Sequence, residues 1–205
     1  MGRPRLASGQ KGALRRGATI VFADESGFTQ RPSVRPTWAP RGRTPVIPDH
    51  INWQRLSAIG ALAWRPGEPR TRLFLSLRPG SARSPDVVDF LRSLRRHVRG
   101  PVVLLWDRLP AHRSAIVRDY LHSQRHWLRA EHFPSYAPEL NPVEQLWANL
   151  RCQELANHAA DDLDDIRQRV ATGKRRIRRR DLGLGFIRHA GLIPERQLRH
   201  LRRTH

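Results

Sequence analysis

Short unbroken apolar runs alternate along the chain with stretches whose apolar residues recur every three or four positions, and the two patterns predict different elements. Residues 18–23, 53–64, 71–77, 102–106 and 126–133 are compact and rich in β-branched, aromatic or leucine side chains, which predicts five strands. The run 102–106 holds no polar residue, as a central strand covered on both faces requires. From Ser84 the period changes: Val87, Leu91, Leu94 and Val98 fall on one helical face, with Ser84 as the expected N-cap and Pro85 at the first helical position. Gly100 and Pro101 stop that helix. Further helices are predicted over 112–123, over 142–158 and from Asp161 onward, where Leu163, Ile166 and Val170 share a side.

The predicted order is strand, strand, strand, helix, strand, helix, strand, helix. Three meandering strands followed by alternating helices and strands describe an α/β protein with a mixed five-stranded sheet flanked by helices. The order resembles the ribonuclease H-like fold. Residues 1–17 are basic and aperiodic and read as a flexible arm, in which Gly2-Arg3-Pro4-Arg5 resembles the core of an AT-hook, although a leader with no specific role is the preferred reading. The expected division is an arm over 1–17, a catalytic domain over 18–160 and a basic helical extension over 161–205. Trp38 and Trp53 are assigned to the core rather than to base stacking.

Three acids stand out against this frame. Asp24 follows the first apolar run and Asp107 the fourth, while Glu144 occupies the first turn of the helix that starts at Pro142. In a ribonuclease H-like sheet the first and fourth strands are neighbours, so their carboxylates can share a metal, and the helix brings the third acid over them. All-oxygen ligands suit magnesium or manganese, and two such ions acting together suit phosphodiester chemistry. Each acid also has a plainer explanation. Asn141-Pro142-Val143-Glu144 has the form of a capping box, and a lone aspartate after a strand commonly starts a turn.

Composition adds a partner. A formal charge of +20 and a pI near 11.8 favour a polyanion, because each phosphate neutralised releases counterions. Lys11 and Lys174 are the only lysines, so part of the arginine excess has a codon-bias explanation. The single cysteine, Cys152, excludes an intrachain disulfide framework and argues against a cysteine-ligated zinc site. No stretch is apolar enough to span a membrane and no signal core is evident, so a cytoplasmic protein is expected.

Several motifs together resemble one family. They are Asp24-Glu-Ser-Gly-Phe28, Thr37-Trp-Ala-Pro-Arg-Gly42 with Pro45, the segment from Asp107 to His112, and Tyr136-Ala-Pro-Glu-Leu-Asn-Pro-Val-Glu144. Over roughly residues 19–150 the chain is similar to the DDE transposases of the mariner-like superfamily, in their bacterial insertion-sequence branch. The step of 37 residues from Asp107 to Glu144 agrees with that family's spacing. The resemblance implies that Asp24, Asp107 and Glu144 bind the metals, and that the protein nicks DNA and transfers the freed 3′ end to target DNA at TA dinucleotides. It also implies a homodimer on DNA. Arg108 replaces the asparagine usual after the second aspartate; it either pairs with Asp107 or holds a phosphate. His112 matches a family histidine and either orients substrate, as a DNA contact, or is a helix-entry histidine bonded to backbone. Lys174, Arg175, Arg176, Arg178, Arg179 and Arg180 are expected to contact DNA backbone, as is the segment 196–203. The family's helix-turn-helix modules have no room in residues 1–17, which suggests a catalytic half partnered by a separately encoded module, or a fragment. A DNA-binding remnant without catalysis and another ribonuclease H-like nuclease are the competing readings.

Overall fold

The computed structural model describes residues 17–47, 54–134 and 137–192 of the 205-residue chain. Gly2 to Arg5, Trp53, Tyr136 and the segment 196–203 lie outside the described residues. The strands are β1 (Thr19–Thr29), β2 (Arg55–Trp64), β3 (Thr71–Pro79), β4 (Val102–Trp106) and β5 (Leu128–His132). The helices are α1 (Ser84–His97), α2 (Ala115–Ser123), α3 (Pro142–Gln153), α4 (Leu163–Arg179) and α5 (Leu182–His189).

One sheet with the order β3-β2-β1-β4-β5 joins all five strands. β1 and β2 pair antiparallel, as do β2 and β3, whereas β1–β4 and β4–β5 are parallel. Side chains alternate across each strand and so build two cores. Ile20, Phe22, Val103 and Leu105 face α3, α4 and α5; Val21, Ala23, Leu104 and Trp106 face α1 and α2. The sheet is therefore covered on both faces, as the continuous run at 102–106 predicts.

The sequence places Asp24 at a strand end, but β1 continues to Thr29. The reason lies in its two neighbours. β2 pairs with β1 as far as Thr29, while the parallel pairing with β4 stops at Phe22. Asp24 thus sits in mid-strand on one side and just beyond the end of pairing on the other, where the sheet opens. Glu25 to Gly27 form no turn.

Other boundaries shift for local reasons. The N-cap of α1 is Arg83, not Ser84, and its backbone N–H donates to the Asp86 carboxylate at 2.9 Å. The helix expected from residue 112 divides at Ser114, whose extended backbone separates a 3-10 turn, Pro110–Arg113, from α2. α3 ends at Gln153; Asn157, with φ of 54°, then turns the chain back to hold the loop after β1. There the Asn157 Oδ1 accepts from the Arg35 N–H at 2.7 Å, and the Asn157 N–H donates to the Ser33 carbonyl at 3.0 Å. Trp38 on this loop is 100% exposed, not in the core: Pro36 and Pro40 flank it, and no strand pairing draws it inward.

The helices after Asp161 are integral to the body. Ile166, Val170 and Ile177 of α4 and Leu184 and Ile187 of α5 belong to the same core cluster as β1 and α3. At roughly 1.5–3 kcal/mol per buried side chain, five such residues rival the whole net stability of a domain, about 5–15 kcal/mol. Among the described residues no helix is long and apolar enough to cross a membrane.

Candidate metal centre

The site forms where the pairing of β1 with β4 ends and the N-terminus of α3 passes over the gap. Asp24 and Asp107 follow inward-facing residues of the same core face, Phe22 and Leu105, which pair with each other across the two strands. Both carboxylates therefore emerge on the side of α3. Asp24, Asp107 and Glu144 line one pocket of about 260 Å³, together with Arg108, Phe133 and Pro138.

Each aspartate has one oxygen held by a protein donor. The Trp147 Nε1–H donates to Asp24 Oδ2 at 2.8 Å. Asp107 Oδ1 accepts from the Leu109 N–H at 3.1 Å and lies 2.9 Å from His112 Nδ1. These bonds fix both side chains and, among the described residues, leave the other oxygen of each for a ligand. Trp147 can reach Asp24 because Gly60, paired with Asp24 on β2, has no side chain: a Cβ there would stand 2.5 Å from the indole ring.

Glu144 is exposed and does not close a capping box. Asn141 caps α3 through its Oδ1, which accepts from the Val143 N–H at 3.2 Å, but the Asn141 N–H donates to the Pro138 carbonyl at 2.9 Å. The reciprocal bond is already taken by the proline turn. Among the described residues no group donates to the Glu144 carboxylate, which stays available at a helix N-terminus.

Electrostatics set the two aspartates apart. Burial pushes the Asp24 carboxyl up to about 7; the bond from Trp147 opposes this, while the negative charges of Glu144, Glu25 and Asp107 reinforce it. For Asp107 burial acts upward too, but the His112 and Leu109 bonds outweigh it and hold the carboxyl below the usual range. Three carboxylates lining one pocket, with Asp24 raised by the charges of the other two, form an all-oxygen donor set that fits a hard divalent ion.

His112, expected to meet substrate, cannot do so. Its side chain is 1% exposed, stacked on Trp106 with ring centroids 4.0 Å apart and held between two carboxylates. Nε2 lies 2.7 Å from Glu25 Oε1, and Nδ1 faces Asp107. Burial alone would lower its pKa, but hydrogen bonds to Asp107 and Glu25 raise it to about 10, so the ring is a cation at neutral pH. Among the described residues, Glu25, Asp107 and His112 form the one close cluster of ligand-type side chains. We read it as a support rather than a metal cage, since both imidazole nitrogens already face carboxylates and cannot point at one ion.

Arg108 is exposed at the rim of the pocket and forms no ion pair with Asp107. The basic run near the end of α4 divides by helical period. Arg176, expected on DNA, is turned inward, where its Nε meets Glu154 Oε1 at 2.8 Å and one terminal nitrogen reaches Asn149 Oδ1 at 2.6 Å. Arg179 and Arg180 open onto a groove of about 1080 Å³ against α5, bordered by Gln145 and Asn149 of the helix that carries Glu144. Lys174 and Arg178 face the opposite way, toward α1. Arg175 is exposed.

Sequence reasoning does not find Trp147 or Glu25 as parts of the site. Trp147 lies three positions after Glu144 and so shares its side of α3, which is the available signal. Glu25 is hidden by the expected turn; once β1 is seen to continue, its side chain must point to the face opposite Asp24, where His112 waits.

Residues 19–167 match the family described as DDE superfamily endonuclease. Among curated proteins no match was found. The fold is similar to that of Mos1 transposase in its paired-end complex with the left transposon end, at 18% identity and a TM-score of 0.63, covering 99% of this chain and 65% of that one. It is also similar to the catalytic domain of Mos1 mariner transposase, at 18% identity and a TM-score of 0.56, covering 95% of this chain and 85% of that one. A further likeness is to the simian T-cell lymphotropic virus intasome in complex with PP2A regulatory subunit B56 gamma, at 14% identity and a TM-score of 0.54, covering 86% and 52% of the two chains. The chain thus spans just under two thirds of the Mos1 chain in the paired-end complex. These likenesses identify the sheet as ribonuclease H-like, and the match from the first residue of β1 into α4 means that the chain belongs to the DDE superfamily endonucleases.

Proposed function

We propose that this chain is the catalytic domain of a DNA transposase that cuts and rejoins DNA with divalent metal ions. The observation that carries the proposal is the convergence of Asp24, Asp107 and Glu144 on one pocket, each aspartate keeping an oxygen free of donors among the described residues. These three residues are the metal ligands, and the all-oxygen set favours two magnesium or manganese ions. When bound, the metal would activate a water or hydroxyl and stabilise the leaving oxygen. Water attacks a phosphodiester at the end of the mobile element, the bond to the 3′ oxygen breaks, and a free 3′ hydroxyl results. That hydroxyl then attacks a target phosphodiester and displaces the target's own 3′ oxygen.

The chain's own groups prepare these steps. Trp147 and the pair Glu25–His112 hold the aspartates in place. Arg108, Arg179 and Arg180 hold phosphates around the cut, Lys174 and Arg178 act on another face, and the exposed Arg175 adds a backbone contact. The Mos1 structures include a paired-end complex and a strand transfer complex, which supports DNA ends, target DNA and a homodimer as partners here. The bacterial insertion-sequence branch, a separately encoded helix-turn-helix module and a cytoplasmic location complete the reading.

Supercoiled plasmid incubated with the protein and manganese is expected to yield nicked circles. EDTA should suppress them and added manganese restore them. Unchanged plasmid at millimolar metal favours the second reading, a DNA-binding remnant, for which the rim position of Arg108 is the specific argument. Arg108→Asn separates the two. With a phosphate role, the substitution weakens DNA binding by several-fold and leaves the calorimetric manganese affinity unchanged. Tighter manganese binding in the variant would instead mean that the guanidinium opposes metal loading.

A further inference from the structure

The open edge of β3 carries a second basic surface that the carboxylate pocket does not include. Among the described residues β3 pairs only with β2, so its other edge faces a groove of about 520 Å³ walled by α1 and α4. The walls come from distant parts of the sequence. α1 supplies Arg92 and Arg96, α4 supplies Lys174 and Arg178, and Arg78 stands on β3 itself. Residues 92 and 96, and 174 and 178, are each four apart and so share a helical face.

Little local negative charge balances this set. Arg92 pairs with Asp89 at 3.0 Å, and Arg78 lies 3.8 Å from Asp86. Arg96, Lys174 and Arg178 have no carboxylate partner among the described residues. Lys174 is half-buried, and burial together with the like charge of Arg178 holds its pKa below the usual lysine range. Like charges held close on a partly desolvated wall gain most from an anion between them.

Across the sheet, Leu75 of β3 pairs with Gly60, which pairs with Asp24. At a strand spacing of about 4.8 Å, the edge therefore lies about 10 Å to the side of Asp24. An anion in the groove cannot be the scissile phosphate. We infer that the β3-edge groove binds the sugar-phosphate backbone of duplex DNA outside the stretch being cut, through Arg92 and Arg96 on one wall and Lys174 and Arg178 on the other. This rests on the DNA reading above and adds a site to it. Arginine forks suit phosphate oxygens.

The test is the salt dependence of binding, read by fluorescence anisotropy with a short labelled duplex of arbitrary sequence. Each phosphate contact contributes about 0.9 to the slope of log affinity against log salt. Arg92→Gln/Arg96→Gln and, separately, Lys174→Gln/Arg178→Gln should each lower the slope by about 1–2. Arg92→Lys/Arg96→Lys should restore it, which a misfolded variant could not do. Tight binding by all variants with an unchanged slope would overturn the groove and leave its arginines as guards of an open sheet edge. The wild-type plasmid assay stands apart from this result: nicking with an unchanged slope removes only the groove, whereas altered slopes without nicking keep the groove and remove the catalytic reading. Failure of the wild type to bind duplex at all would remove both.

Discussion

Asp107→Asn is expected to abolish manganese-dependent nicking, by more than about the 100-fold typical of losing a group that only supports a metal ligand, while duplex binding stays as tight or becomes tighter. The amide keeps the shape of the side chain and can still accept from the Leu109 N–H, so the turn after β4 survives. What disappears is a negative charge facing the metal and the phosphate. Binding is retained because the contacts with DNA come from cations elsewhere. Losing one carboxylate removes a repulsion that Asp24 now feels but also the charge facing the His112 cation, so a small fall in melting temperature is expected. A matched set of plasmid nicking, duplex anisotropy and thermal melting measures all three. Parallel loss of binding and cleavage with a large fall in melting temperature would make Asp107 a structural residue and sink its role as ligand.

Much of this site is legible in the amino-acid sequence. Period and punctuation suffice for the strand that ends at Trp106, because five consecutive apolar residues between Gly100-Pro101 and an aspartate leave few alternatives. They also suffice for α1, whose Val87, Leu91 and Leu94 are all buried. The capping residue of α3 is legible too, since Asn141 before Pro142 has a local mechanism. What fails is whatever depends on a neighbour chosen by the fold. The length of β1 is set by its pairing with β2, so the local turn chemistry of Asp24 to Gly27 misleads. The Asn141–Glu144 capping box is undone by a carbonyl three residues upstream.

The basic run of α4 teaches the same lesson in charge. Seven residues of near-uniform composition read as one patch, yet a helix advances about 100° per residue and distributes them around its axis. Arg176 meets Glu154, Lys174 and Arg178 meet the wall of α1, and Arg179 and Arg180 meet α5. Glu154 is only 9% exposed, so the pair with Arg176 ties α4 to the end of α3 instead of serving DNA. Net charge announces a polyanion, but only packing decides which cations can reach it.

His112→Ala is expected to be the most damaging substitution among the residues that do not themselves reach a metal. Its ring is a buried cation between Glu25 and Asp107, and Glu25 Oε2 is buried without a hydrogen-bond partner among the described residues. Removing the imidazole leaves the Glu25 carboxylate facing the Trp106 core uncompensated, at a cost of about 3 kcal/mol or more. For a domain of this size that corresponds to a fall in melting temperature of roughly 6–12 °C. The same change leaves Asp107 Oδ1 with the Leu109 N–H alone, so nicking below the melting range should drop about 10–100-fold, chiefly through weaker metal affinity. Glu25→Gln/His112→Gln tests the cause, because it removes the acid and the cation together. If charge pairing is the reason, the double variant will be less destabilised than the sum of its two single variants. It will still nick poorly, since nothing then aligns Asp107 as the imidazolium did. Additive stabilities, or nicking at the wild-type level in folded His112→Ala, would reduce the triad of Glu25, His112 and Asp107 to ordinary packing.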